Sequence, residues 1–159
     1  MQEYTRITIV VSDLCATNRL AEKVAGVARR GDFVALSGDF GAGKTTFSRY
    51  FIYAIAGRRE DVASPTFNLV LIYSYAHINV WHFDLFRLVK PEEIWELGIE
   101  DALLEGVALV EWPDRMLPYL PKERLEIDIE TGNRGPDSRV FVLTGYGDWR
   151  DRVSTIANQ

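Results

Sequence analysis

The sequence predicts a three-layer α/β domain in which helices cover both faces of one mixed parallel and antiparallel sheet. Three observations lead to this fold class. Apolar, β-branched runs alternate along the chain with segments of helical periodicity. A glycine-rich turn joins one such strand to an amphipathic helix. Two pairs of strand-like runs are separated by connections too short for a crossover, so each pair is expected to be antiparallel.

The first predicted elements are a strand, a helix and a second strand. The β-branched run Thr8 to Val11 predicts the first strand, and Ser12 or Asp13 can cap the helix that follows. Apolar residues then recur at helical spacing up to a predicted end near Gly31. The short apolar run Phe33 to Leu36 predicts a strand buried in the sheet.

The glycine-rich turn leads into a predicted helix from Lys44 to Ile55, which Gly57 ends. Two predicted strands follow, at Asn68 to Tyr75 and at Asn79 to Phe83. Only about three residues connect them, which is too short for a parallel crossover. This part of the chain therefore predicts a β-hairpin and a mixed sheet.

The second half of the chain predicts one short helix, three strands and a final helix. A helix is expected from Pro91 to Leu97, and Val107 to Val110 is a buried strand. The alternating runs Arg124 to Glu130 and Arg139 to Thr144 predict a second hairpin, which we expect to close the sheet. Trp149 to Ile156 predicts a weak terminal helix.

Composition and charge limit the class of protein. At 159 residues, with 47% hydrophobic and 12% aromatic content, residues 1–159 are expected to form one domain. The net charge of −5 predicts a surface that repels a phosphate backbone, so a role on nucleic acid would be shared with a partner. The lone Cys15 cannot form an internal disulfide, and no apolar run is long enough to span a bilayer. We therefore expect a cytoplasmic protein without a membrane segment.

The segment Gly38 to Thr45, GDFGAGKT, indicates the chemistry most clearly. It has the pattern Gly, four residues, Gly-Lys-Thr, between a predicted strand and a predicted helix. In that context the backbone amides and the positive end of the helix point at bound phosphate. Lys44 would reach the β and γ phosphates, the hydroxyl of Thr45 would be a magnesium ligand, and Thr46 would be a further phosphate contact. The sequence therefore predicts a domain of the P-loop NTPase type.

Two carboxylates end predicted strands and are candidates for the same site. Asp84 ends one apolar run and Glu111 ends the next. One would anchor the metal and the other would orient the attacking water as a general base; the sequence does not assign the two roles. Ser64-Pro65-Thr66 supplies hydroxyl groups on a stiffened loop, where a switch segment could sense a γ phosphate, and a simple turn is the alternative.

Five segments of the chain occur in a characteristic order: GDFGAGKTTFSR, SPTFNLV, HFDLFRL, EEIWELGIED and LVEWPDR. Together they span Gly38 to Arg115, and they resemble the TsaE (YjeE) family, the ATPase component of bacterial tRNA N6-threonylcarbamoyladenosine synthesis. Phe86 departs from the family pattern, in which tyrosine often occupies this position. The hydroxyl is lost, whereas the packing of the ring can remain.

This resemblance implies ATP and Mg²⁺ as cofactors and assigns residues to the site. The implied phosphate-binding residues are Gly41, Ala42, Gly43, Lys44, Thr45 and Thr46. The implied magnesium ligands are Thr45 and Glu111. The implied catalytic residues are Lys44, Glu111, Asp84 as a second acidic residue, and Thr66 in a mobile switch loop. Trp112 would lie beside the nucleotide, the region of Leu14 would touch the adenine, and the loop containing Arg134 would approach the nucleotide.

The same resemblance implies a function. The chain would bind and hydrolyse ATP, weakly alone and faster with partners, as a subunit required to modify adenosine 37 in tRNAs that read codons beginning with A. The partners would be the TsaB and TsaD proteins, and tRNA would be reached only through their complex. Two alternatives stay open: a small-molecule kinase, although no arginine-rich lid follows the P-loop helix, and a nucleotide-gated scaffold with incidental hydrolysis.

Three further features have open interpretations. The doublets Arg29-Arg30 and Arg58-Arg59 either contact tRNA or lie at solvated helix ends. His82 shares a strand face with Asp84, and it either packs in the core or orients the active-site loop.

Overall fold

The structure, a computed structural model, describes residues 3–159. The strands are Tyr4–Val11 (β1), Phe33–Ser37 (β2), Val70–Ser74 (β3), Asn79–Asp84 (β4), Gly106–Glu111 (β5), Arg124–Thr131 (β6) and Arg139–Tyr146 (β7). The helices are Leu14–Val27 (α1), Lys44–Ala56 (α2), Glu93–Glu96 (α3), Ile99–Glu105 (α4) and Trp149–Ala157 (α5), with a 3₁₀ turn at Pro113–Met116. Within the described range, no helix is long and apolar enough to cross a lipid bilayer.

The seven strands form one sheet in the order β1-β7-β6-β2-β5-β4-β3. β2 is parallel to both β5 and β6, and β4 is parallel to β5. The β3–β4 and β6–β7 pairs are antiparallel, which confirms the predicted mixed sheet and both predicted hairpins. Because β2, β4 and β5 run in the same direction, their carboxyl ends meet at one edge of the sheet, where ligands bind in open α/β sheets.

The prediction that the second hairpin closes the sheet is wrong. β7 has β1 as its other neighbour, and the two strands are antiparallel from Tyr4 opposite Tyr146 to Val11 opposite Arg139. β1 begins at Tyr4 rather than Thr8, because the alternation of exposed and partly buried residues extends back to that position. The outermost strands of the sheet are therefore β1 and β3.

Alternate residues of β2 face two apolar clusters on opposite sides of the sheet. Val34 and Leu36 lie in a cluster with residues of α1, α2 and α5. Phe33 and Ala35 lie in the other cluster, with residues of α3 and α4. All four side chains are buried. Helices therefore cover both faces, which confirms the three-layer prediction.

α1 begins where the sequence predicts and ends earlier. Asp13 is its N-cap, and the carboxylate accepts a 2.8 Å hydrogen bond from an amide in the first turn. The helix ends at Val27, because Asp32 holds the following residues in a turn. The Asp32 carboxylate accepts a 2.6 Å hydrogen bond from the amide of Arg29 and pairs with Arg152 of α5 at 2.7 and 2.9 Å.

α4 is a helix that the sequence pattern does not predict. The predicted helix from Pro91 to Leu97 contains only the single turn of α3, and α4 starts immediately after Gly98. Gly98 has a φ of 89°, which glycine adopts without strain, and a Cβ there would lie 3.0 Å from the ring of Trp81. Only Ile99 and Ala102 of α4 are buried, so its apolar pattern is too short to be recognised.

Gly106 begins β5 at a point where no side chain fits. A Cβ at Gly106 would lie 1.8 Å from the carbonyl oxygen of Asn79 in β4. We expect Gly106→Ala to lower the free energy of unfolding by about 2–3 kcal/mol, because the backbone has to move. Gly26→Ala is the control, since a Cβ there meets nothing within 4 Å, and stability should stay equal or rise by up to ~1 kcal/mol. Urea unfolding measures both changes, and equal losses would contradict the prediction.

Candidate active site

The loop from Gly38 to Thr45 connects β2 to α2 and forms the centre of the site. Gly43 is the N-cap of α2 with a φ of 115°, and Gly41 has a φ of 78°. Glycine adopts these left-handed angles readily, so the chain can turn sharply into the helix. A Cβ at Gly38 would lie 2.7 Å from the carbonyl oxygen of Ile129 in β6. The N-terminus of α2, which favours an anion, therefore follows directly from a tightly packed loop.

Lys44 is a buried cation at the first position of α2. Its ammonium donates hydrogen bonds to the carbonyl oxygens of Gly38 and Asp39, the second at 2.9 Å. It also lies 4.2 Å from the centre of the Trp112 ring. Burial lowers the pKa of Lys44, and neighbouring carboxylates, Glu111 foremost, oppose this shift. The loop and the indole ring together hold this cation at the helix N-terminus.

Glu111 ends β5 with only 2% of the residue exposed, and two other elements donate hydrogen bonds to it. Oγ1 of Thr45 lies 3.0 and 3.2 Å from the two carboxylate oxygens. Nε2 of His82, in β4, lies 2.6 Å from Oε2. A buried carboxylate requires such partners. The structure therefore places His82 against Glu111, a role that the sequence does not indicate.

Asp84 ends β4 directly opposite Glu111 in the strand register. Its Oδ2 accepts a 3.1 Å hydrogen bond from Oγ1 of Thr66, and its Oδ1 accepts one of 3.1 Å from the amide of Phe86. The hydroxyls of Thr66 and Ser64 lie 2.7 Å apart. The predicted switch loop is therefore connected to the second carboxylate of the site.

Phe40, Phe86 and Trp112 form an aromatic cluster beside the loop. The ring centres lie 4.7 Å apart for Phe40 and Phe86, and 5.0 Å apart for each of the two pairs with Trp112. Trp112 has a φ of 59°, an uncommon conformation for a residue other than glycine. Phe86 packs through its ring, so the missing hydroxyl does not prevent its place in the cluster. Phe40 is 72% exposed and gives the cluster an apolar surface.

Arg139, the first residue of β7, contacts the loop from Gly38 to Thr45, called the phosphate loop below. β7 and β5 lie on different sides of β2 in the sheet, so this contact comes from the side opposite to Glu111. Its Nε donates a 2.7 Å hydrogen bond to the carbonyl oxygen of Ala42, and its Nη2 lies 3.4 Å from that of Gly41. The sequence gives no sign of this contact, because 97 positions separate Arg139 from Ala42 and no motif links the two. The nearest feature that the sequence does indicate is the turn before β7, where Arg134 is predicted to approach the nucleotide.

The predicted site residues fall into two groups. The first group takes part in the contacts described above: Lys44, Thr45, Thr66, Asp84, Glu111 and Trp112. Thr46 follows Thr45 directly in α2. Leu14 is the first residue of α1 and is 43% exposed. Arg134 is exposed in the β6–β7 loop, where its amide donates a 3.4 Å hydrogen bond to Oγ of Ser138. Neither Leu14 nor Arg134 takes part in those contacts, and their approach to a nucleotide stays a prediction.

These groups match the needs of a bound triphosphate. A helix N-terminus and a buried lysine favour phosphate, while a hydroxyl and a carboxylate in contact offer the hard oxygen ligands that Mg²⁺ prefers. A strand, a Gly-x-x-x-x-Gly-Lys-Thr loop and a helix in this arrangement define a protein of the P-loop NTPase class. Comparison with known proteins narrows this class.

The family model described as "Threonylcarbamoyl adenosine biosynthesis protein TsaE" matches residues 11–140. The chain therefore belongs to the TsaE family, as the resemblance implies. It is 40% identical over 114 residues to the Rickettsia felis "tRNA threonylcarbamoyladenosine biosynthesis protein TsaE", which covers 72% of this chain and 67% of that protein. It is 36% identical over 133 residues to the Bacillus subtilis protein of the same name, covering 83% and 81% respectively.

A solved structure has the same fold as this chain. The crystal structure of Bacillus subtilis YdiB superposes with a TM-score of 0.80 at 27% sequence identity. The match covers 99% of this chain and 98% of that one. The predicted fold class is therefore confirmed over nearly the whole chain.

The contact between His82 and Glu111 predicts a difference between the two histidines of the chain. We expect His82→Ala to lower the free energy of unfolding by about 1–3 kcal/mol, because the buried carboxylate loses a partner. His77→Ala, at an exposed position, should change it by less than about 0.5 kcal/mol. Urea unfolding measures both changes. A double-mutant cycle with Glu111→Gln separates the free energy of the hydrogen bond from the cost of the cavity that alanine leaves at position 82. Zero coupling in that cycle would rule out the interaction.

Arg139 provides a second prediction, on nucleotide affinity. Arg139→Met should raise the Kd of a fluorescent ATP analogue by on the order of tenfold, because the loop carbonyls lose their anchor. Arg134→Met is the matched change in the same hairpin, and it tests separately whether that loop approaches the nucleotide. Fluorescence titration with Mg²⁺ present measures both. An unchanged Kd for Arg139→Met would show that the loop needs no such anchor.

Proposed function

We propose that this chain is an ATPase of tRNA threonylcarbamoyladenosine biosynthesis. Its relatives carry the name of that pathway. One observation supports the ATPase activity above all others: Oγ1 of Thr45 lies 3.0 Å from the carboxylate of Glu111 at the end of β5. In P-loop ATPases, a loop hydroxyl and a strand-end carboxylate of this kind hold the magnesium ion.

The phosphates of ATP are proposed to lie against the loop from Gly41 to Thr46. The N-terminus of α2 and the ammonium of Lys44 stabilise the negative charge of the transferred phosphoryl group. Lys44 would exchange its contacts with loop carbonyls for contacts with phosphate oxygens. Leu14 and Trp112 are proposed to flank the nucleotide, and Arg134 to approach it.

Thr45 and Glu111 are proposed to hold Mg²⁺, and both offer oxygen ligands that suit this ion. When bound, the ion neutralises charge on the phosphates. His82 keeps the carboxylate of Glu111 in a fixed orientation through its 2.6 Å contact, as outer partners of metal ligands generally do. These three residues come from α2, β5 and β4, so the site depends on the packed sheet.

Asp84 is proposed to orient the attacking water, and Thr66 to sense the γ phosphate. The hydrogen bonds support this division of roles. Glu111 contacts the phosphate loop through Thr45, whereas Asp84 contacts the switch loop through Thr66 at 3.1 Å. A movement of that loop would release or restore the orientation of the Asp84 carboxylate.

The proposed partners are the TsaB and TsaD proteins, with modification at adenosine 37 of tRNAs that read codons beginning with A. The net charge of −5 supports contact with proteins over direct capture of tRNA. Hydrolysis is expected to be slow alone and faster in the complex, in the cytoplasm where tRNA is modified. The chain would act there as a single domain.

ATP turnover tests this proposal. We expect Lys44→Ala and Glu111→Ala to lower hydrolysis by on the order of 100-fold, because each removes a group that stabilises transition-state charge or its metal. Both should also fail to support tRNA modification with TsaB and TsaD. Lys90→Ala, at an exposed position, is the control and should match the parent. Phosphate release and mass spectrometry of the modified nucleoside are the two measurements.

The same experiment separates the alternatives. If both site variants modify tRNA as well as the parent does, the ATPase proposal fails. If only Glu111→Ala stays competent, nucleotide binding is sufficient and the chain is a nucleotide-gated scaffold. Phosphate that appears on a metabolite instead of in solution would identify a kinase.

A further inference from the structure

A second concave surface lies at the end of α2 that is remote from the phosphate loop. This arginine groove is an open groove of about 920 Å³ between the C-terminal ends of α1 and α2 and the β3–β4 turn. Its charged and aromatic lining residues include Arg29, Arg30, Tyr53, Arg58, Arg59 and His77. The fold thus brings together the two arginine doublets that the sequence leaves as separate features. The proposed ATPase chemistry uses none of these residues.

The arginine groove is positively charged on a chain that is negative overall. The chain has 18 Lys and Arg residues against 23 Asp and Glu residues, whereas four arginines and one glutamate line the groove. Arg58 pairs with Glu60 at 3.3 Å. In the described part of the chain, no ion pair includes Arg29, Arg30 or Arg59. Three exposed guanidinium groups can therefore bind anionic groups of a ligand.

The groove also has apolar surface between these cations. Ala25, Ala54, Ile55 and Ile78 contribute to its lining, and Ala25 and Ile78 are buried. The guanidinium of Arg59 lies 5.9 Å from the centre of the Tyr53 ring, so an aromatic face is part of the same wall. A matching ligand would carry negative charge at its edges and apolar groups between them.

We propose that the arginine groove is a docking site for an acidic segment of a partner protein. Carboxylates of this segment pair with Arg29, Arg30 and Arg59, and its apolar side chains cover the apolar lining. RNA fits less well, because bases bind mainly by stacking on aromatic faces, whereas the apolar lining here is mostly aliphatic. The net charge of −5 also repels a long polyanion more strongly than a short segment with few carboxylates.

The position of the groove makes docking compatible with nucleotide binding. α2 has 13 residues and spans about 20 Å, with Lys44 at one end and the groove at the other. A segment in the groove therefore leaves the phosphate loop accessible. This inference rests on the proposed function for the identity of the partner, a protein of the tRNA-modifying complex.

Charge reversal tests the docking site. The test variant is Arg30→Glu with Arg59→Glu, and the control is Lys90→Glu with Lys122→Glu, which makes the same change in net charge at exposed lysines elsewhere. Binding to purified TsaB and TsaD is measured by biolayer interferometry at fixed salt. We expect the arginine variant to bind at least about tenfold more weakly and the lysine variant to bind like the parent. Both should bind an ATP analogue like the parent.

A photoreactive residue identifies what occupies the groove. Tyr53→p-benzoylphenylalanine should cross-link to a segment rich in Asp and Glu in one partner protein. A cross-link to tRNA or to a second copy of the chain would overturn the inference. Parent-like binding by the arginine variant would also overturn it while leaving the proposed function intact. If the parent binds neither TsaB nor TsaD, the proposed function fails first, and this inference fails with it.

Discussion

The buried carboxylate of Glu111 is the group around which the site is assembled. Because only 2% of this residue is exposed, its charge needs hydrogen-bond partners inside the protein, and an unpaired charge there would destabilise the fold. Thr45 supplies one partner from the start of α2, and His82 supplies another from β4. The same contacts that satisfy the carboxylate therefore fix the phosphate loop against the ends of two strands.

The parallel centre of the sheet determines which residues can meet there. Asp84 and Glu111 are opposite each other because β4 and β5 run in the same direction, and Leu36 of β2 lies opposite Glu111 on its other side. If β4 were antiparallel to β5, Asp84 would lie at the other end of the strands, away from Glu111. β7 then adds Arg139, which holds the loop from the far side. The site thus depends on strands from both halves of the chain.

Features encoded over a few residues, including the two hairpins, are predictable from the sequence, and features that depend on contacts between residues distant in the chain are not. A helix cap at Ser12 or Asp13, the end of α2 at Gly57 and the phosphate loop follow from local patterns, and the structure contains all three, with Asp13 as the cap. Glu111 is predictable because it ends an apolar run. Its contact with His82 and the contact of Arg139 with the loop join residues 29 and 97 positions apart, so neither leaves a local signal. The place of β1 at the edge likewise depends on its pairing with β7.

The charges around Lys44 support a role for a metal ion in the proposed ATPase. Its ammonium is influenced by four carboxylates, in decreasing order Glu111, Asp84, Asp39 and Asp114. Arg139 adds one further cation at the loop, and Arg115 lies 3.8 Å from Asp114. In the proposed ATPase, Mg²⁺ held by Thr45 and Glu111 would reduce the repulsion between the carboxylates and the phosphates. The overall charge of −5 has little effect on a nucleotide bound in the site, because exposed charges are screened beyond about 8 Å at physiological salt. In the proposed function, groups in direct contact would therefore select the nucleotide, whereas the local positive charge of the arginine groove would select the macromolecular partner.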